Sequence, residues 1–141
     1  MIGARDRSLS ISVLGEKLAV CRLDPREDVP AWATGTTFSS VTRTPDELSV
    51  VCPGRQVPAG VACERGWRAL KLEGTFDIDL VGILASVAAP LAEAGVSIFA
   101  IATHDTDYVL VREAQLGLAV SVLAGQGHNV SPQGSEIPET N

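Results

Sequence analysis

The sequence predicts an α+β fold made of two related halves, each with an antiparallel sheet and its helices on one face. Short segments with period-2 alternation recur along the 141 residues, as in strands with one buried face. Residues 79–94 instead repeat their apolar side chains at helical spacing. From residue 68 the elements run strand, helix, strand, strand, helix. Packing both helices on one face of an antiparallel sheet is the economical way to bury this pattern.

Four strands and no long helix are predicted in the first half. Leu9, Ile11 and Val13 alternate with serines, and after a turn at Gly15 a returning strand follows. A short helical turn is expected around Pro30–Trp32, and the loop 53–60 gives the best boundary between the halves. The predicted strands are 9–13, 18–23, 38–43 and 48–52.

The second half has the clearer patterns. Its helix over 79–94 is followed by Gly95, a suitable terminator. Pro90 lacks a backbone N–H, so it is expected to kink the last turn or shorten the helix. The other predicted elements are strands at 68–74, 97–103, 108–113 and 128–130 and a helix over 113–124.

An internal repeat is indicated by a shift of 61 residues. This shift places Phe38, Thr42 and Asp46 on Phe99, Thr103 and Asp107, and Leu9 and Ile11 on Leu70 and Leu72. With the shared strand order, these matches predict two copies of one unit, the first having lost or shortened its long helix. The predicted organisation is an N-terminal unit over 8–62, a C-terminal unit over 66–130 and a disordered tail over 131–141.

Composition and charge limit the partners. The 45% hydrophobic and 20% charged content is that of a globular chain. A net charge of -6 argues against nucleic acid and against anionic membrane surfaces. Residues 1–10 contain no apolar run typical of a signal peptide, and Asp79, Pro90 and Glu93 interrupt the apolar stretch 78–102. We therefore expect a cytoplasmic protein without a membrane span.

Neither a metal nor a cofactor is predicted. Cys21, Cys52 and Cys63 contain no CxxC pair. Together with His104 or His128 they could surround a metal ion, but nothing in the spacing requires it. Cys21 and Cys52 lie in apolar strand-like runs, where a reduced cysteine packs as a small hydrophobic residue.

A family resemblance is carried by GTFDIDLVGILASVAAPLAEAGVSIFAIATHDTDYVLV (74–111), which resembles the ACT domain, a ferredoxin-like βαββαβ module. The upstream FSSVTRTPDELSVVCP (38–53) resembles the companion segment of bacterial tandem ACT proteins. Both are similar to the ACT domains of aspartate kinases and of cytosolic arginine sensors. Covering about residues 8–130, the resemblance implies two ferredoxin-like units, the first reduced. It also implies a non-catalytic regulatory protein that binds an amino acid.

The resemblance implies a ligand site where the first strand enters the first helix, against the start of the second strand. The residues selected are Gly74, Thr75, Phe76, Asp77, Val96, Ser97 and Ile98. A glycine lets the backbone approach a ligand closely, and N–H groups at a helix N-terminus can bind a carboxylate. Asp77 is suited to an ammonium group, and the edge backbone of 96–98 supplies further amides and carbonyls.

Structural roles are the alternative for the same residues. Thr75 or Asp77 would serve as a helix N-cap, and Gly74 would only make the turn. His104 beside Asp105 resembles half of a catalytic pair, but no serine or cysteine nucleophile is indicated nearby, so no enzyme is predicted. The alternative function is a ligand-free module for protein–protein interaction.

The predicted helix also favours a partner chain. Its far side offers only small residues, and an exposed helix face usually carries charged side chains. These residues are Gly82, Ala85, Ser86, Ala89 and Ala92. The ACT resemblance points the same way, and a homodimer is predicted. The alternative is a monomer whose two halves cover each other.

Overall fold

The computed structural model describes residues 8–35, 37–73 and 82–132. Within them the strands are β1 (Ser10–Val13), β2 (Leu18–Leu23), β3 (Ser40–Arg43), β4 (Leu48–Pro53), β5 (Cys63–Leu72), β6 (Ile98–Ala102), β7 (Asp107–Arg112) and β8 (Asn129–Pro132). The α-helices are α1 (Ile83–Glu93) and α2 (Leu116–Gly125), and short 3-10 turns lie at Ala31–Ala33, Gly54–Gln56 and Glu113–Gln115. The mixed α+β class is as predicted.

Two compact units divide the chain. The middle unit is residues 16–67, and the terminal unit joins residues 8–15 to the chain from residue 68 onward. The boundary falls inside β5, which gives Cys63–Trp67 to the middle unit and Arg68–Leu72 to the terminal unit.

The middle unit is an antiparallel sheet in the order β3-β4-β2-β5. Alternate residues of its central strands form the core, among them Ala19 and Cys21 of β2 and Val50 and Cys52 of β4. Where a ferredoxin-like unit has its first helix, this unit has the 3-10 turn Ala31–Ala33, and Ala33 is fully buried in the same core. The unit is therefore the reduced copy that the sequence predicts.

The terminal unit has its strands in the order β6-β7-β5-β1-β8. β1 is antiparallel to β5 and parallel to β8, and β6 is antiparallel to β7. The core holds Leu70 and Leu72 of β5 with Val109 and Val111 of β7, and both helices pack on it. The helices contribute Ile83, Val87 and Leu91 of α1 and Ala119 and Leu123 of α2.

The position of β1 corrects the predicted organisation. The sequence predicts β1 within an N-terminal unit over 8–62, as a hairpin with β2, but β1 pairs with β5 and β8 in the terminal unit. The reason is burial, since Leu9 and Ile11 are 4% and 1% exposed within the core under α1 and α2. β8 also runs to Pro132, so residues 131 and 132 belong to the sheet rather than to the predicted tail.

The repeat is real in topology but differs from the predicted alignment. Thr44 and Thr103 occupy equivalent turns, because each donates its backbone N–H to the residue three positions later and accepts that residue's N–H on its hydroxyl. The predicted match of Thr42 with Thr103 is therefore wrong by two positions. The match of Ile11 with Leu72 is also wrong, because both residues belong to the terminal unit and so are not equivalent positions of two copies.

Each α-helix ends in the same glycine motif. After α1, Gly95 has a φ of 82°, its N–H donates to the Ala92 carbonyl, and the Val96 N–H donates to the Leu91 carbonyl. These are the two hydrogen bonds of a Schellman motif, and Gly127 repeats them after α2. Gly95 therefore ends the helix as predicted. Pro90 lies within α1, and the helix continues past it to Glu93.

Candidate functional site

The start of β6 is the described part of the candidate ligand site. Val96, Ser97 and Ile98 follow the Schellman motif of α1 directly. Gly74, Thr75, Phe76 and Asp77 lie outside the described residues. The helix that follows them in the sequence begins at Ile83 with Gly82 as its N-cap, and Gly82 has no side chain that could cap it.

The three β6 residues offer different groups. Val96 is 4% exposed, so its side chain packs in the core. Its N–H is already hydrogen-bonded to the Leu91 carbonyl at the end of α1. Ser97 is exposed, and within the described residues its hydroxyl makes no hydrogen bond. Ile98 is half-buried against the terminal-unit core.

Backbone groups of Ile98 point toward the outer edge of the sheet. Thr103 donates its N–H to the Thr106 carbonyl, which fixes the hydrogen-bonding alternation along the β6–β7 pair. Counting back from that turn, the backbone N–H and C=O groups of Phe99 and Ile101 point toward β7. Those of Ile98 and of the alternate residues after it point away from β7. Among the described strands, β6 pairs only with β7. The Ile98 N–H and C=O therefore have the orientation that the predicted site needs, and their binding to a ligand stays a prediction.

Gln115 was not predicted as a site residue, yet it binds the backbone there. Its Oε1 accepts the Ser97 N–H at 3.3 Å, and its Nε2 donates to the Gly95 carbonyl at 3.2 Å. The residue lies in the 3-10 turn Glu113–Gln115, beyond the end of β7. In the sequence it was only one polar position of the predicted helix 113–124, and no local pattern marks it.

Glu73 directly follows the end of β5 and precedes the predicted site residue Gly74 in the sequence. Its carboxylate accepts the Ser12 hydroxyl at 2.5 Å and pairs with Lys71, Nζ to Oε1, at 3.6 Å. Its N–H donates to the Ser10 carbonyl at 2.8 Å. The contacts with Ser10 and Ser12 hold the chain to β1 at the last described residue before residue 74.

His104 and Asp105 lie on the exposed turn between β6 and β7. Their side chains are 95% and 65% exposed, with 2.8 Å between Nδ1 and Oδ1. The Thr103 hydroxyl accepts the Thr106 N–H and donates to its carbonyl, which makes these threonines turn-formers. Within the part of the chain that the structure describes, no group of three or more His, Cys, Asp or Glu residues could hold a metal ion. The described helices include none that is long and apolar enough to cross a membrane.

Comparison with protein families agrees with the division of the chain. A family model described as an ACT domain matches residues 62–125. A second model, described as an N-terminal domain, matches residues 16–60, which is nearly the whole middle unit.

Similar proteins come from bacteria and from mammals. The crystal structure of protein Atu0741 from Agrobacterium tumefaciens is 39% identical, with a TM-score of 0.84 over 88% of this chain and 92% of that one. The regulatory subunit of aspartate kinase from Thermus thermophilus shares the fold at 8% identity, with a TM-score of 0.55 over 84% of this chain and 93% of that chain.

A curated relative is the cytosolic arginine sensor for mTORC1 subunit 1 of Rattus norvegicus. It is 28% identical over 114 residues, which cover 73% of this chain and 34% of the relative. The matched segment therefore spans about a third of that relative's length. Residues 62–125 of this chain therefore belong to the ACT domain family, and the sheet topology agrees with that assignment.

Proposed function

We propose that this chain is a non-catalytic regulatory protein that binds an amino acid through residues 74–77 and the start of β6. The observation that supports this most directly is the contact of Gln115 with Gly95 and Ser97. Its amide offers one acceptor and one donor to a backbone N–H and a backbone C=O. The carboxylate and ammonium groups of an amino acid offer the same pair, so a bound ligand would replace Gln115.

Positively charged amino acids are the expected ligands. From residue 72 to residue 111 the sequence contains no Lys or Arg, whereas Asp77 and Asp79 are acidic. Glu73 is acidic as well, but it pairs with Lys71. A negative local potential favours a cationic side chain such as that of arginine or lysine. The relative from Rattus norvegicus is named as an arginine sensor, which supports testing arginine first.

A thermal-shift screen of the whole chain against the twenty amino acids tests this proposal. A ligand that binds only the native state stabilises it by about 2.7 kcal/mol at a hundredfold excess over Kd. We expect a rise in Tm with arginine or lysine, and loss of that rise in Asp77→Ala with folding intact. A flat screen would contradict the proposal and favour the alternative, a ligand-free interaction module.

Gln115→Ala tests the role given to Gln115. Without its side chain the ligand no longer displaces two hydrogen bonds, so Kd should fall by about 2- to 10-fold. Gln126→Ala is the matched control, because Gln126 is exposed beyond α2 and donates hydrogen bonds to Val122 and Leu123 through its backbone N–H. A weaker affinity in Gln115→Ala would show that Gln115 supports the ligand rather than competing with it.

We also propose that the chain is a homodimer that uses the outer faces of its helices. Ala85, Ala89 and Ala92 are exposed on α1, and Leu118 is 47% exposed on α2. Neither helix has a charged residue except Glu93 at the end of α1. Light scattering should give twice the chain mass, and Ala89→Arg should give a monomer while Gln126→Arg does not. A monomeric parent chain would refute this proposal.

A cytoplasmic location stays a prediction.

A further inference from the structure

Three thiols gather on the core face of the middle unit. Cys21 lies directly opposite Cys63 in the β2–β5 pair, and Cys52 lies opposite Ala19 in the β2–β4 pair. All three belong to or pack against one core cluster. The Cys63 side chain is close enough to Cys21 to be among the groups that raise the pKa of the Cys21 thiol.

The register of Cys21 and Cys63 suits a disulfide. Arg22 donates its N–H to the Ala62 carbonyl at 3.1 Å, so Arg22 and Ala62 form a hydrogen-bonded pair. Cys21 and Cys63 are then a non-hydrogen-bonded pair, in which Cα atoms lie about 4.5 Å apart and the side chains are closest. Disulfides span Cα separations of about 4.4–6.8 Å.

Cys52 is in a poorer position for either partner. β2 lies between β4 and β5, so Cys52 and Cys63 are two strand spacings apart, or about 9.5 Å. Cys21 pairs with Val50 rather than Cys52, which leaves Cys52 on the diagonal, about 7–8 Å away. Both separations exceed the disulfide range.

Exposure assigns different roles to the two paired thiols. Cys63 is half-buried, whereas Cys21 is 2% exposed. Burial, followed by the neighbouring thiols of Cys63 and Cys52, raises the pKa of Cys21 to about 12. Cys21 therefore stays protonated in neutral solution, and Cys63 is the thiol that an external reagent reaches first.

We propose that Cys21 and Cys63 are a redox-active pair that a small-molecule disulfide converts into a cross-strand disulfide. The Cys63 thiolate attacks one sulfur of the reagent, a mixed disulfide forms, and the first small thiolate leaves. Cys21 then gives up its proton and attacks Cys63 Sγ, and the second small thiolate leaves. The two protein thiols lose two electrons, the reagent gains them, and the two protons end on its two thiols.

Tryptic mapping of the whole protein tests the pair directly. Cleavage at the lysine and arginine residues puts each cysteine in its own peptide: LAVCR holds Cys21, TPDELSVVCPGR holds Cys52 and QVPAGVACER holds Cys63. After oxidised glutathione and alkylation, we expect LAVCR linked to QVPAGVACER, a mass loss of about 2 Da for two hydrogens, and alkylation at Cys52 alone. Reduction should restore three alkylated cysteines.

Two variants separate the pair from its neighbour. Cys52→Ala should still form the linked peptide, and Cys63→Ser should lose it and keep two alkylated cysteines. The oxidised parent should also show a higher Tm than the reduced parent, because the bond closes a long loop. The proposal is overturned by three alkylated cysteines after oxidation, by a stable glutathione adduct, or by a bond to Cys52. The tryptic peptide map of the parent protein tests the proposal even if a variant folds poorly.

Discussion

Ile11 lies directly opposite Leu72 in the antiparallel pair of β1 and β5. Ile11 is 1% exposed, Leu72 is fully buried, and both belong to the core under α1 and α2. A strand from the beginning of the chain therefore completes a core that is otherwise supplied from residue 70 onward. The C-terminal part of the chain needs β1 to fold as this structure shows.

Truncation of Ile11 should destabilise the protein strongly. Ile11→Ala leaves a cavity in a closed core and is expected to cost about 2–5 kcal/mol in the free energy of unfolding. Val41 is 37% exposed on β3, so Val41→Ala is a surface control expected to stay within about 0.5 kcal/mol. Urea unfolding measures both. Similar small losses in the two variants would mean that β1 is not part of the stable core.

His128 should be needed as a hydrogen-bond acceptor. It is 7% exposed, and its Nδ1 accepts the Leu9 N–H at 3.1 Å, just before β1 begins. His128→Leu leaves that N–H without its acceptor and should cost about 1–3 kcal/mol. His128→Asn places an amide oxygen where Nδ1 was and should lose less in the same unfolding measurement. If Asn were as destabilising as Leu, packing rather than this hydrogen bond would be the reason.

Local pattern predicted the elements better than their assembly. β2 falls on its predicted residues 18–23, and the helical turn near Trp32 and the glycine end of α1 are also as predicted. These features depend on neighbours in sequence, through alternation and through the left-handed conformation of Gly95. The partner of β1 depends instead on which core buries Ile11. A short turn at Gly15 suggested β2 as the partner of β1. No local signal in the sequence indicated that β1 pairs with β5 and β8.

Only part of the candidate site could be predicted from the sequence. Resemblance selected Val96, Ser97 and Ile98, and ligand binding by them stays a prediction. The structure shows only that β6 pairs with β7 among the described strands and that Ser97 is exposed. The role of Gln115 could not be predicted from the sequence, because its contacts join residues from different elements. The cysteine pair was missed for the same reason, since the register of β2 against β5 brings Cys21 and Cys63 together.

Two glycines should respond in opposite directions to alanine. Gly95 has a φ of 82°, so Gly95→Ala forces a side chain into the left-handed region and should cost about 1–2 kcal/mol. Gly117 lies inside α2, and a Cβ added there would meet no atom within 4 Å. Gly117→Ala should therefore stabilise the protein by about 0.4–1 kcal/mol. Thermal unfolding of both variants checks this, and a shift of Tm in one direction for both would contradict it.

Cys21 should make the folded protein less stable in alkali. Its thiol ionises near its ordinary pKa of 9.0 when unfolded, whereas burial and the neighbouring thiols raise the folded pKa to about 12. Above pH 9 the unfolded state therefore binds fewer protons than the native state. The free energy of unfolding then falls as pH rises toward 12, by at most about 1.4 kcal/mol per pH unit for this one group.

Urea unfolding between pH 7 and 10.5, with a reductant present, separates this effect from other alkaline titrations. Below about pH 8 the thiol is almost fully protonated in both states and should contribute almost no slope. Above it, Cys21→Ala should decline less steeply than the parent, while Gln126→Ala should follow the parent. Cys52→Ala should also flatten the curve, because burial raises the pKa of that thiol too. Parallel curves for all four proteins would show that neither buried thiol resists ionisation in the folded state.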